Sequence, residues 1–142
     1  GSAFSWLIGF ARIPEMILPP LLGTDPSVTK LLMIIAAAYF IGCMFVDSIV
    51  VIMILAPIFH PIAVRLGIDP ILIGVLVTMQ AAIGAVTPPF GCNIFTAMAV
   101  FHRPYADVVR RVMPFLVLYI LATFVVIFFP PLSLFLRDMA FR

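Results

Sequence analysis

Apolar residues run along this chain in long blocks separated by short polar turns. Residues 31–64 contain a single charge, Asp47, and residues 71–101 and 112–136 contain none. A helix of about 20 apolar residues crosses a hydrocarbon core ~30 Å thick, so each block is long enough to span a bilayer. Residues 1–22 are also apolar, but Arg12, Pro14, Glu15 and Pro19-Pro20 interrupt them. That pattern predicts a helix broken near residues 12–14 instead of a straight span. Residues 23–29, GTDPSVT, read as a turn, with Asp25 or Ser27 capping the helix that follows.

The block at 31–57 admits two forms. As one helix it would measure about 40 Å, and Asp47 would lie near the middle of the membrane. As a re-entrant hairpin, 31–41 would enter, 42–47 would form the tip and 48–57 would return, each arm about 16 Å long. Periodicity does not choose between them. Residues 60–69 read as a polar connector ending in Asp69-Pro70, a helix-start signal. The block at 71–101 has Gly84-Ala85-Val86-Thr87-Pro88-Pro89-Phe90-Gly91 at its centre. Two consecutive prolines remove two backbone donors, so two half-helices are expected, 71–85 and 93–101, joined by an unwound bridge. Residues 102–111 form the densest basic stretch, which the positive-inside tendency puts on the cytoplasmic side. Residues 115–129 then lead into a last spanning helix that stops at Pro130-Pro131, and the tail at 137–142 emerges on the opposite face.

Composition agrees with this pattern. Of 142 residues, 65% are hydrophobic and 10% are charged, against roughly 25% charged in a soluble domain. The expected fold class is an all-α integral membrane protein. The net charge of +2 is dispersed over segment ends, so no nucleic-acid partner is expected. The chain opens on Gly, not Met, as a processed chain or a piece of a longer one would, and no signal-peptide pattern is seen. Cys43 and Cys92 have neither metal nor redox spacing and read as small residues at helix contacts. His60, His102 and Trp6 read as headgroup-level or packing residues. With no Ser/His/Asp set, phosphate-binding glycine loop or metal-spaced cluster, neither an enzyme nor an organic cofactor is expected.

The chemistry concentrates at Asp47 and the 84–91 break. An ionised carboxylate in a membrane costs ~2.5–3.5 kcal/mol on insertion scales. Asp47 has no Lys or Arg within two turns, so it is protonated, paired from another segment, or paired with a cation such as sodium. The blander form is a protonated Asp bonded to a nearby carbonyl. The break frees backbone carbonyls, Thr87 adds a hydroxyl and Asn93 an amide. Discontinuous helices in transporters use carbonyl ends for the ion and N-termini for anionic substrate groups. The simpler alternative there is a proline kink.

The residues around these two features resemble a known family. The run IGAVTPPFGCNIF (83–95), followed by YADVVRR (105–111) and MPF (113–115), resembles the large membrane subunit of tripartite ATP-independent periplasmic (TRAP) transporters. So do MFVDSIVVIMILAPIFHPIAVRLGIDP (44–70) and FFPPLSLFL (128–136). The resemblance implies a sodium-coupled permease in the bacterial inner membrane, multi-pass, importing organic acids of dicarboxylate or sialic-acid-like type. A periplasmic binding protein would deliver the solute, and a small membrane subunit would accompany the permease. It implies an elevator-type inverted-repeat transporter of which this chain is the second half, so the missing N-terminal half is itself a partner. By the same resemblance, 31–57 is the re-entrant hairpin, 71–101 the discontinuous helix, and 105–136 the connector and last transmembrane helix. Asp47, Ser48, Thr87, Gly91 and Asn93 become the sodium candidates. Thr87, Pro88, Pro89 and Asn93 become the solute candidates.

The chain departs from the family pattern in three places. Cys43 stands where Gly is common four residues before the hairpin Asp, Cys92 replaces an aliphatic residue, and small residues are sparse after Asn93. Both cysteines then fall at facing tips and are expected to lie close together. The competing reading is a truncated relative kept as a structural accessory subunit of a larger, unrelated membrane complex, contacting lipids, with Asp47 idle.

Overall fold

The computed structural model describes residues 27–140 together with Met16, Pro19, Pro20 and Gly23. The broken helix expected over 1–22 lies outside the described residues but for those few positions. Six helices follow: α1 (Val28–Phe45), α2 (Ser48–Arg65), α3 (Pro70–Gly84), α4 (Cys92–Phe101), α5 (Tyr105–Phe128) and α6 (Pro131–Ala140). No strand occurs among the described residues, so the chain is all-α.

Local chemistry sets most of the boundaries. Ser27 is extended, and its hydroxyl accepts the Lys30 N–H at 3.1 Å, which starts α1. A stripe of Leu31, Leu32, Ile35, Ala36, Tyr39 and Cys43 is buried, the spacing of one helix face. At Val46 the backbone turns extended (φ −128°, ψ 156°) and α1 stops. Asp47 then caps α2, its Oδ1 accepting the Ile49 N–H at 2.9 Å. The chain folds back on itself here. Gly42 lies against Val51, and farther from the turn the Tyr39 and Phe59 rings sit 6.3 Å apart.

The 31–57 block is therefore two helices and not one. Each arm is 18 residues long, about 27 Å, which exceeds the short arms the sequence suggested. In α1 the extra length comes from residues 28–30, at and just after the expected turn, and 42–45, read as part of the tip; in α2 it comes largely from the stretch read as a connector. α2 continues through Pro57 and Pro61 to Arg65, since apolar membrane helices tolerate internal prolines when neighbouring groups satisfy the freed carbonyls. It closes with Gly67 N–H to the Val64 carbonyl at 3.0 Å and Ile68 N–H to the Ala63 carbonyl at 3.0 Å. This is a Schellman ending, and Gly67 supplies the positive φ of 70° that it requires.

Asp69 caps α3 through the Ile71 N–H at 2.8 Å, with Pro70 at its first position. α3 is the hub: it packs on α1, α2, α5 and α6. Leu72, Ile73, Leu76 and Ile83 fill its buried faces. α5 begins at Tyr105, ahead of the expected start, because Asp107, Arg110 and Arg111 are helix-compatible residues within its first turns. Residues 131–140, which include the first part of the expected tail, fold as α6, with Ser133 and Leu134 N–H groups bonded to the Pro130 carbonyl.

α1, α2 and α5 are each long and apolar enough to cross a membrane. In lipid no hydrophobic drive pulls helices together, so close approach through small residues and polar pairs must hold them. Both devices are present. A Cβ at Gly84 would lie 2.6 Å from Cys43 Cβ and 3.0 Å from the Phe40 carbonyl oxygen, so α1 and α3 touch backbone to backbone there. Gln80 and Thr123, the buried polar side chains among the described residues, bond to each other at 2.9 Å between α3 and α5.

Candidate functional site

The hairpin tip rests on the last turn of α3 and on the break that follows it. Three contacts join them. Cys43 packs on Gly84, the Ser48 hydroxyl donates to the Ala81 carbonyl at 3.3 Å, and the Phe45 and Phe90 rings lie 5.7 Å apart. Four helix termini thus share one neighbourhood: the C-terminal ends of α1 and α3, and the N-terminal ends of α2 and α4. Carbonyl ends carry partial negative charge and N–H ends partial positive charge. The arrangement brings carbonyl ends and N–H ends of helices side by side.

The break is a folded loop. Thr87 donates its hydroxyl to the Ile83 carbonyl at 2.6 Å, and its N–H reaches the Gly84 carbonyl at 3.0 Å, extending α3 by a partial turn. Gly91 N–H returns to the Thr87 carbonyl at 3.0 Å, and Asn93 N–H reaches across to the Ala85 carbonyl at 3.0 Å. The loop is tight at Gly91, where a Cβ would lie 2.7 Å from the Ala85 oxygen and 2.8 Å from the Thr87 nitrogen and oxygen. Glycine is the residue that fits. The Pro88–Pro89 peptide is cis.

These bonds sort the oxygen donors. The carbonyls of Ile83, Gly84, Ala85, Thr87 and Gly91 each accept a hydrogen bond, whereas those of Val86, Pro88 and Phe90 accept none among the described residues. The Ser48 and Thr87 hydroxyl protons are both given to carbonyls, which leaves their lone pairs available to a cation. Asp47 has Oδ1 on the Ile49 N–H, with the second oxygen able to serve as a further donor. Hard oxygens of this kind are ligands for hard cations in general. No group of three His, Cys, Asp or Glu that could hold a metal ion occurs among the described residues.

Asp47 stands at the turn itself, between α1 and α2. In this third of the permease its side chain is exposed, with α3 against the tip on one side. Asn93 is exposed as well, at the first turn of α4, with its amide oxygen 3.8 Å from the Cys92 sulfur. Pro88 is half-buried and Pro89 exposed. Cys43 and Cys92 are free thiols, the first buried against α3 and the second exposed.

Two contributors were not picked out from sequence. Tyr105, the first residue of α5, donates its hydroxyl to the Pro89 carbonyl at 3.1 Å, and its ring lies 6.1 Å from that of Phe95. Gln80 ties α3 to α5 through Thr123, whose hydroxyl in turn bonds the Tyr119 carbonyl at 3.1 Å. An amide in an otherwise apolar run was the signal for Gln80. No comparable signal marked Tyr105 as a brace for the break.

Comparison with known proteins identifies the family. The family described as tripartite ATP-independent periplasmic transporter, DctM component, matches residues 1–132. An ectoine/5-hydroxyectoine TRAP transporter large permease protein of Ruegeria pomeroyi is 52% identical over 141 residues, 99% of this chain and 33% of that protein. An ectoine TRAP transporter large permease protein of Halomonas elongata is 51% identical over 142 residues, 100% of this chain and 33% of that protein. A C4-dicarboxylate TRAP transporter large permease protein of Pseudomonas aeruginosa is 33% identical over 131 residues, 92% of this chain and 31% of that protein. The chain thus spans about a third of the length of these curated relatives. No solved structure matches it significantly. With the match running through the hairpin, the break and α5, this all-helical membrane chain belongs to the DctM component family, the large permeases of TRAP transporters.

Proposed function

We propose that the chain is the C-terminal third of a sodium-coupled secondary transporter permease of the bacterial inner membrane. Asp47, Ser48, Thr87, Gly91 and Asn93, with the Val86, Pro88 and Phe90 carbonyls, supply the oxygen atoms for the coupling ion. The α2 and α4 N-termini, together with Thr87, Pro88, Pro89 and Asn93, face the carboxylate of the solute. The other wall of the solute site comes from the remaining two-thirds of the permease, since inverted-repeat transporters bind solute between repeats. A small membrane subunit and a periplasmic binding protein complete the system, and the hairpin and broken helix move together as one unit in an elevator-type cycle.

One observation carries this reading: the hairpin tip is seated on the helix break, so that Asp47 and four helix ends converge. The solute is a small carboxylate-bearing compound. Relatives at 51–52% identity are named for ectoine, and the one at 33% for C4-dicarboxylates. An ectoine-type zwitterion is therefore the favoured solute, ahead of the dicarboxylate or sialic-acid-like compounds expected from the resemblance. The accessory-subunit reading has no observation in its favour.

The test is uptake of radiolabelled ectoine by the complete permease, reconstituted with its small subunit and binding protein in liposomes. Accumulation is expected with an inward sodium gradient, competed by unlabelled ectoine and not by succinate. Equal accumulation when choline replaces sodium would overturn the coupling, and competition by succinate alone would overturn the solute.

A further inference from the structure

The corner between α4 and α5 holds a cleft that the transport reading does not use. Its volume is ≈ 440 Å³, and its lining includes Arg103, Asp107 and Arg111, with Phe101, Val112 and Phe115 among the apolar residues. Asp107 and Arg111 are one turn apart on α5, and Arg103 precedes that helix by two residues. Despite this spacing, none of the three side chains makes a hydrogen bond or ion pair among the described residues. The cleft lies at the polar end of a membrane span. α5 is 24 residues long, and its charges all fall within its first turns. The apolar wall is open to its surroundings, with Phe101 at 69% and Phe115 at 67% exposure.

We infer that this cleft binds one phospholipid with a phosphate and a primary ammonium in its headgroup, a phosphatidylethanolamine. Two guanidiniums suit a phosphate, which they can hold by charge-assisted, bidentate bonds. A carboxylate between them would repel a purely anionic headgroup, yet it is the natural partner of an ammonium. Phe101, Val112 and Phe115 then flank the acyl chains where they enter the hydrocarbon layer. Basic pockets between transmembrane helices are a known setting for lipid headgroups. Asp107 is the feature that selects the zwitterionic amine. This site stands on its own geometry and is independent of sodium coupling.

Native mass spectrometry of the complete permease, delipidated in mild detergent and titrated separately with phosphatidylethanolamine, phosphatidylcholine and phosphatidylglycerol, tests it. Phosphatidylethanolamine should bind roughly tenfold tighter than phosphatidylcholine, whose methylated ammonium cannot donate to Asp107. Arg103→Gln/Arg111→Gln should abolish the tight site. Asp107→Asn should erase the preference for ethanolamine over choline and raise phosphatidylglycerol binding. Equal affinity for ethanolamine and choline lipids in the unaltered protein, or tight binding that survives the double substitution, would overturn the inference. Because Asp107→Asn changes selectivity without removing either arginine, a folding defect in the double variant would not decide the outcome.

Discussion

Gly84 and Gly91 have different neighbours but one role, since each lets backbone come where a side chain would stand. At Gly84 the obstacle is Cys43 and the Phe40 carbonyl on α1, and at Gly91 it is the Ala85 and Thr87 backbone. Gly74, on the same helix as Gly84, has open space where a Cβ would stand, with nothing within 4 Å. Gly84→Ala and Gly91→Ala should each destabilise the permease by about 1–3 kcal/mol through overpacking. Gly74→Ala should be neutral or stabilising by up to about 1 kcal/mol. Chemical unfolding of the complete permease in detergent measures all three, and a loss at Gly74 equal to that at Gly84 would contradict the packing argument. Much at this scale was legible in the sequence. Asp47, Thr87 and Gly91 stood out because a charge, and a proline pair between glycines, are anomalous in an apolar run. The Tyr105 bond to Pro89 was not legible, because it depends on which segments lie side by side.

The helix boundaries follow from caps and breaks that are local in sequence. Ser27 and Asp69-Pro70 start helices as their chemistry requires, and the Thr-Pro-Pro run ends one. The tip at Val46-Asp47 carries neither Pro nor Gly, which is why periodicity left a single helix and a hairpin equally open. What marks it in retrospect is the carboxylate cap on the Ile49 N–H. The helices are held together by small residues and by the Gln80–Thr123 bond between α3 and α5. That pairing joins positions 43 residues apart, and no local rule announces it. Gln80→Leu and Thr123→Val should each destabilise the fold. The double variant should be less harmful than their sum, by about 0.6–1.7 kcal/mol, the range of interhelical hydrogen bonds in membranes. Strict additivity would show that the two helices are held by apolar packing alone.

On the scale of the whole molecule, one third of a permease presents a hairpin tip docked on a helix break. Carbonyl ends and N–H ends are gathered around Asp47, while broad apolar faces of α5 are left for lipid or for the rest of the protein. Under the proposed function, the juxtaposition gives the carboxylate in the middle of the apolar run a role. It also ties the central claim to a single atom pair, the carboxylate oxygens of Asp47. Asp47→Asn preserves the cap, since an amide oxygen also accepts the Ile49 N–H, and it removes the negative charge. The most direct test is sodium-driven uptake by the complete permease carrying Asp47→Asn, measured beside its thermal unfolding. We expect sodium-driven uptake to be largely abolished, with the unfolding temperature essentially unchanged. Uptake at the level of the unaltered permease, with the same sodium dependence, would contradict the account.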